Sequence, residues 1–377
     1  MRIKVAGIGL TKFGELWDKT LFDLAEEASL EAIQDSSLKP PDIQAVFVAN
    51  MIFSKVSNQD HLGATIASQL NIQGAAFRIE GACASGGLAI HLAIQSILAG
   101  TYQNVLVVGA EKMTDASISE VTSALMGAGS EAERQAGLTF PGLYALMAQA
   151  HMQQFGTTRE HMAQVAVKNH YHASLNKKAQ YPYEVTLEKA LNSPCICSPF
   201  TLFDASPITD GAAAVVLTSA STNKGVYITG SAVATDTVDL SSRKSLTEIE
   251  ATRIASQKAL TQAGVKISDI KVAEVHDCFT IAEILAMEDL GFCEKGEGGK
   301  YIEKGITKLG GKIPVNTSGG LKACGHPVGA TGVKQIVEIA QQLRKKAGLR
   351  QVEGANIGLT QNVGGTGATV VVHVLQS

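Results

Sequence analysis

The second half of this chain repeats the order of its first, and no other feature limits its fold as much. Val226-Tyr-Ile-Thr-Gly230 echoes Lys4-Val-Ala-Gly7, and the helical pattern of about 247–263 echoes that of 21–34. Ser268-Asp-Ile-Lys-Val-Ala-Glu-Val-His276 echoes Pro41-Asp-Ile-Gln-Ala-Val-Phe-Val-Ala49, which brings Asp269 onto Asp42. A repeat of strand, helix and strand in the same order implies a doubled domain built around one shared core. Within the first half, residues 2–9, 43–50 and 105–109 read as strands, and 21–34, 63–67 and the run after Cys83 read as helices. Short apolar strands alternating with amphipathic helices predict an α/β layer architecture.

Residues 111–207 break this rhythm with methionines, glycines, histidines and one long helical pattern from about Tyr144 to His170, and read as an inserted loop domain. Their basic and polar residues (Arg159, Lys168, Asn169, His170, His172, Lys177, Lys178) read as a solvated helical face or as a face toward an anionic ligand. The chain re-enters the core at Asp210-Gly-Ala-Ala-Ala-Val-Val-Leu217, and its last strands, 355–359 and 368–372, flank Gln361-Asn-Val-Gly-Gly365. The expected division is 1–220, carrying the insertion, and 221–377.

The chain has 377 residues, 45% of them apolar and 18% charged, with a net charge of -3 and no basic cluster, so it offers no footprint for nucleic acid or an anionic membrane. No apolar run approaches membrane-spanning length. Met1-Arg-Ile-Lys-Val-Ala-Gly reads as a strand rather than a secretory leader, and Leu375-Gln-Ser377 is not a peroxisomal address. Six cysteines without C-x-x-C spacing suit a reduced, cytoplasmic protein and make no zinc-site pattern.

Gly81-Ala-Cys83-Ala-Ser85-Gly86-Gly87 sets a cysteine at the head of a helix that Gly100 stops. The helix N-terminus favours thiolate, and the glycines leave room for a substrate. A free cysteine is also at home as a small core residue, so this stretch alone leaves both readings open. Beyond a Gly- and Lys-rich insertion at 291–311, the repeat places Gly325-His326-Pro-Val-Gly-Ala-Thr-Gly332 opposite the Cys83 stretch. A cysteine and a histidine thus occupy equivalent helix starts, the pairing a nucleophile and its base require. His276-Asp-Cys278-Phe279 adds a second thiol and a second imidazole at a strand end, as carbon–carbon chemistry needs. Removing an α-proton beside a thioester calls for one base and for donors aimed at the enolate oxygen. Cys278 fits the base, His326 and His276 the oxygen site, and the turn Val363-Gly364-Gly365 a second oxyanion hole with the Cys83 N–H. Cys293 and Cys324 read as structural.

These motifs, with Asn316-Thr-Ser-Gly-Gly-Leu321, Thr158-Arg-Glu-His-Met-Ala163 and Val167-Lys-Asn-His170, resemble the thiolase family in its order and over nearly the whole chain, and within it the archaeal and sterol-carrier-protein type. The resemblance implies a thiolase fold of two βαβαβαββ halves in five layers, αβαβα, and an oligomer, dimer or tetramer. It implies coenzyme A thioesters as substrates, with no cofactor beyond coenzyme A itself and no metal. Cys83 would be acylated, His326 would activate it, and Cys278 would handle the α-proton. His276 stands where many thiolases have an asparagine. Ser318 and Gly319 would contact coenzyme A, whose pantetheine and nucleotide the loop domain would hold. Proteins of this type also resemble partners of a small OB-fold, zinc-ribbon protein. The common thiolases carry their acid/base cysteine in a C-terminal Cys-x-Gly-Gly-Gly segment. Here that segment reads Asn362-Val-Gly-Gly365-Thr366, so the second cysteine would be Cys278. Rival readings are a decarboxylating ketoacyl synthase or hydroxymethylglutaryl-CoA synthase relative, and a non-catalytic thiolase-like scaffold.

Overall fold

The computed structural model describes residues 1–219 and 225–377; the expected division at 220/221 falls outside them. Among the described residues there are eleven strands: β1 (Ile3–Leu10), β2 (Ala45–Ala49), β3 (Ala75–Ile79), β4 (Asn104–Glu111), β5 (Cys195–Cys197), β6 (Phe200–Thr201), β7 (Gly211–Thr218), β8 (Tyr227–Thr235), β9 (Val272–Glu274), β10 (Ile357–Gly364) and β11 (Thr369–Gln376). Nine form one sheet in the order β3-β2-β4-β7-β1-β8-β11-β10-β9, and β5 and β6 make a separate hairpin.

The repeat is visible in the pairing. β2 runs parallel to β3 and β4, whereas β7 runs antiparallel to both β4 and β1. On the other side β9 runs parallel to β10, and β11 runs antiparallel to both β10 and β8. A parallel bridge from Ala273 to Val315 stands where a counterpart of β3 would lie. The halves join through a short antiparallel contact, Ile3 to Ile228 and Lys4 to Tyr227.

The glycines of the repeat explain how the outer helices dock. A Cβ on Gly7 would lie 2.0 Å from the Ala32 carbonyl oxygen of the Leu21–Ser36 helix, and one on Gly230 would lie 2.1 Å from that of Ala259 in the Glu250–Ala263 helix. Each half thus lets backbone meet backbone at the same place, and a side chain at either would push the helix off the sheet. The Ser85–Leu98 and Thr331–Leu343 helices pack on each other and on strands of both halves, which makes them the central one of five layers. Their N-termini meet at the centre of the molecule.

Two expectations change. The helical pattern expected from Tyr144 to His170 is two helices, Phe140–Phe155 and Arg159–Ser174. Gly156, at φ 74°, ends the first, and the Thr158 hydroxyl caps the second by accepting from the His161 N–H at 3.2 Å. The expected solvated face is in large part an inward one. Lys168 donates to the Val315 carbonyl at 2.8 Å and pairs with Glu283 at 2.6 Å, Asn169 donates to Asp277 at 2.7 Å, and His172 bonds the Asn316 carbonyl at 3.0 Å. These polar groups bolt the insertion to the second half, so composition alone misplaced them.

Candidate active site

Cys83 sits in a turn wound tightly before its helix. Ala82 adopts φ 53°, a conformation that costs a residue with a Cβ, and Ser85 holds it by accepting from the Gly81 N–H at 3.0 Å and donating to the Ala82 carbonyl at 2.6 Å. The half-buried thiol opens on a cavity of about 300 Å³ that Cys278, His326 and Gly365 also line, within walls that include Met113, Leu125, Phe140 and Phe279. The Cys83 sulfur and ring nitrogens of His276 and His326 lie within 4.8 Å of one another, and the imidazoles cross edge to face at 5.1 Å.

The hydrogen bonds assign the two histidines different protons. Thr331 donates its hydroxyl to the Pro327 carbonyl at 3.0 Å and lies 2.7 Å from His326 Nδ1. It therefore accepts from Nδ1–H, and Nε2 keeps its lone pair, the form a base needs. Asn362 sends one N–H to the Cys83 carbonyl at 3.0 Å and the other toward His276 Nδ1 at 3.3 Å. His276 Nδ1 is then the acceptor, and its Nε2–H, buried with no partner, is a free donor in the site. That protonated nitrogen also fits the trio poorly to a metal ion, although among the described residues these three are the group close enough to share one.

Burial dominates the electrostatics. It pushes the Cys83 thiol up to about 12, opposed by the Gly365 N–H that reaches the sulfur. Burial also lowers His326 to about 3 and His276 well below the ordinary range, and raises Cys278. The helix N-terminus expected to hold a thiolate is outweighed, and the resting site is neutral throughout.

His276 and Cys278 reach the site from a segment pinned on both sides. The His276 N–H is donated to Gln361 at 3.0 Å, and Asp277 accepts from the Leu321 N–H at 2.6 Å. Gly364 is the last residue of β10, paired with Thr369, not part of a turn. Its hydrogen takes the place where a Cβ would fall 2.5 Å from the Gly81 carbonyl oxygen. The N–H facing the sulfur belongs to Gly365. Ser318 and Gly319 do not join the cavity. The buried Ser318 hydroxyl is donated to Glu274 at 2.6 Å, and Gly319 packs on Ala173, so neither has a group to spare for coenzyme A.

Three residues of the site were not read from the sequence. Asn362 links Cys83 to His276 and accepts from the Gly87 N–H at 3.0 Å. Tyr144 donates to the Gly365 carbonyl at 3.0 Å, hydrogen-bonds Cys278 and stacks on Phe279 at 4.8 Å. Glu111 gathers the N–H groups of Met51, Ile52 and Gly329 at 2.9–3.1 Å. The Asn362-Val-Gly-Gly365 stretch did carry a signal, a polar residue two places before a glycine pair at a strand end.

A doubled α/β core with a cysteine and a histidine at facing helix starts defines an acyl-transfer class of protein. Residues 3–192 match the thiolase N-terminal domain and residues 232–377 the thiolase C-terminal domain-like family. The chain belongs to the thiolase family and is an acyltransferase. It is 48% identical to the acetyl-CoA acetyltransferase of Methanothermobacter thermautotrophicus, covering 99% of this chain and 98% of that one. It is 32% identical to sterol carrier protein 2 of Homo sapiens, covering 98% of this chain and 71% of that protein. Among solved structures, the Ltp2-ChsH2(DUF35) aldolase superposes with a TM-score of 0.87 at 26% identity, over 100% of this chain and 98% of that one. No helix of the described residues is long and apolar enough to cross a membrane.

Proposed function

We propose that the chain is a thiolase that condenses two acetyl-CoA to acetoacetyl-CoA and CoA, or cleaves a 3-ketoacyl-CoA with CoA in reverse. The observation that carries this reading is that Cys83, His326 and Cys278 line one cavity, with a ring nitrogen of His276 within 4.8 Å of the Cys83 sulfur. Cys83 attacks the thioester carbon as its proton passes to His326 Nε2, and CoA leaves with the Cys278 proton, so that the acyl-cysteine forms beside a protonated His326 and a Cys278 thiolate. Cys278 then takes the α-proton of the second thioester. The enolate oxygen is held by the N–H groups of His326 and His276 while the carbanion attacks the acyl carbon. The oxyanion formed there faces the N–H groups of Gly365 and Cys83, and its collapse releases the Cys83 sulfur, which recovers its proton from His326.

A neutral cysteine–histidine pair suits this cycle, because nucleophile and leaving group are both thiols and His326 and Cys278 carry the protons between them. No cofactor beyond coenzyme A enters these steps. The same reading takes 1–220 and 221–377 as the two halves, with a loop domain at 111–207 that carries coenzyme A. It also takes the protein as a cytoplasmic homodimer or homotetramer with a small OB-fold, zinc-ribbon partner, to which the DUF35 component named in the aldolase structure lends support.

The test is CoA-dependent loss of acetoacetyl-CoA enolate absorbance, in wild type and Cys83→Ala side by side, with longer 3-ketoacyl-CoAs as second substrates. Turnover that vanishes with Cys83 supports the proposal. Turnover that survives it overturns the acyl-cysteine and favours an aldolase-type cleavage, which needs no acyl-enzyme.

A further inference from the structure

A second cavity, of about 530 Å³, adjoins the catalytic one along Ala205-Ser-Pro-Ile208, residues that line both. Its walls are mostly apolar and aromatic, with one carboxylate, the exposed Glu15, and five of them (Trp17, Ile118, Tyr183, Ile196 and Leu202) are among the most exposed large hydrophobic side chains of the protein. An exposed apolar rim around a hollow marks a ligand groove or an interface. Its lining also includes one buried cation, Lys322, 3% exposed, four residues before His326.

Lys322 forms no ion pair among the described residues. Asp204 and Asp277 act on it across space, but their oxygens are engaged elsewhere. Asp204 accepts from the Thr201 N–H at 2.8 Å and the Thr280 hydroxyl at 2.7 Å, and Asp277 accepts from Leu321 N–H at 2.6 Å and Asn169 Nδ2 at 2.7 Å. The ammonium lies 5.7 Å from the Phe203 ring centroid, a contact that supports a cation without neutralising it. Burial lowers its pKa to about 8. A buried charge left without a counter-ion is expensive, and a lysine kept so inside an apolar hollow is completed by an anion that brings its own apolar body.

We propose that this cavity binds a thioester acyl chain that ends in a carboxylate, with Lys322 as its counter-ion. This rests on the thiolase reading, because a thioester held at Cys83 has two arms. The pantetheine arm carries the coenzyme A phosphates away from the reacting centre, whereas the acyl arm starts beside Cys83, and Lys322 stands four residues before His326.

The experiment compares wild type, Lys322→Met, Lys322→Gln and Lys322→Arg, each checked for folding by thermal melting. KM is measured for thiolysis of 3-oxoadipyl-CoA, which ends in a carboxylate, and of 3-oxohexanoyl-CoA, which has the same length and no charge. Calorimetry gives the Kd of both thioesters and of free CoA. The neutral variants should lose at least about tenfold in affinity for the anion-bearing arm, and Lys322→Arg should keep most of it. A loss confined to 3-oxoadipyl-CoA supports the proposal, whereas an equal loss for both thioesters and free CoA overturns it. Affinities within about twofold of wild type in folded neutral variants overturn the proposal. If wild type turns over neither thioester, the thiolase reading fails, and the calorimetric comparison still decides whether Lys322 holds an anion.

Discussion

The two halves place the same scaffold around the same axis and use it in opposite ways. Each inner strand end meets the helix start of the other half. The end of β4 meets the His326 segment, where Gly109 lets the backbone of Gly329 approach and Glu111 accepts the Gly329 N–H at 3.0 Å. The end of β10 meets the Cys83 segment, where Gly364 lies against Gly81 and Asn362 bonds the Cys83 carbonyl and the Gly87 N–H, each at 3.0 Å. Glu111 and Gly364 are the last residues of their strands. The carboxylate consumes donors, drawing in Met51, Ile52, Gly329 and the Asn50 side chain, whereas the glycine end turns the Gly365 N–H to the Cys83 sulfur and leaves His276 Nε2–H free. One strand end anchors and the other reacts. Doubling makes this division possible, because one copy of each position is released from chemistry.

The contrast is broken most severely at the reacting end. Cys278→Ala should reduce condensation by about 10³-fold, the range of a lost acid/base group, while acylation of Cys83 stays detectable by mass spectrometry of the intact protein. Unaltered condensation would remove Cys278 from the mechanism. Asn362→Ala should lower kcat by about 10²-fold, since it frees the Cys83 carbonyl and leaves His276 with no donor to fix its tautomer. If Asn362 only supported the fold, the loss would appear as a lowered Tm with kcat nearly unchanged.

At the anchoring end the effect moves from rate to stability. In Glu111→Gln the amide must present N–H groups to donors that one carboxylate oxygen now satisfies, on one side Met51 and Gly329, on the other Asn50 and Ile52. The expected cost is about 2–3 kcal/mol in urea unfolding, with kcat changed by less than about tenfold. A larger fall in kcat than in stability would show that Glu111 takes part in the chemistry.

A titration sharpens the nucleophile's side of the comparison. With burial holding Cys83 at about 12, the thiolate fraction grows about tenfold per pH unit, and its alkylation by iodoacetamide should climb from pH 6 to 9 without a plateau. A plateau near neutrality would restore the preformed thiolate that the helix start suggests.

What the sequence made legible follows from what motifs encode. The succession of strands and helices and the doubled halves were readable, and four candidate side chains could be picked out, because backbone patterns and nucleophile positions depend on local residues and on the repeat. The partners were not, because Asn362, Tyr144 and Glu111 act across 279, 221 and 218 residues of chain to Cys83, Gly365 and Gly329. Tyr144 lies within an apolar helical pattern in which a tyrosine looks like any core residue. Ser318 and Lys168 misled for the opposite reason. Polar side chains in a motif or on a helix were read as facing a ligand or water, whereas burial had turned them inward onto Glu274 and Glu283. Residue type shows what a group can do, and only packing shows whether it is still free to do it.

The smallest effect lies behind His326, where one hydroxyl sets a proton. Thr331 gives its hydrogen to Pro327, so it accepts from His326 Nδ1–H and leaves Nε2 as the base. Thr331→Val keeps the shape and removes the acceptor, which leaves Nδ1–H buried without a partner and shifts the ring toward the Nε2–H form. That tautomer cannot take the Cys83 proton, so kcat should fall about tenfold while KM changes little, and Thr331→Ser should recover most of the rate. A residue that served packing alone would behave otherwise, because valine fills the space of threonine better than serine does. Recovery by valine and not by serine would therefore return His326 to an unassigned tautomer and leave the two helix starts less different than they now stand.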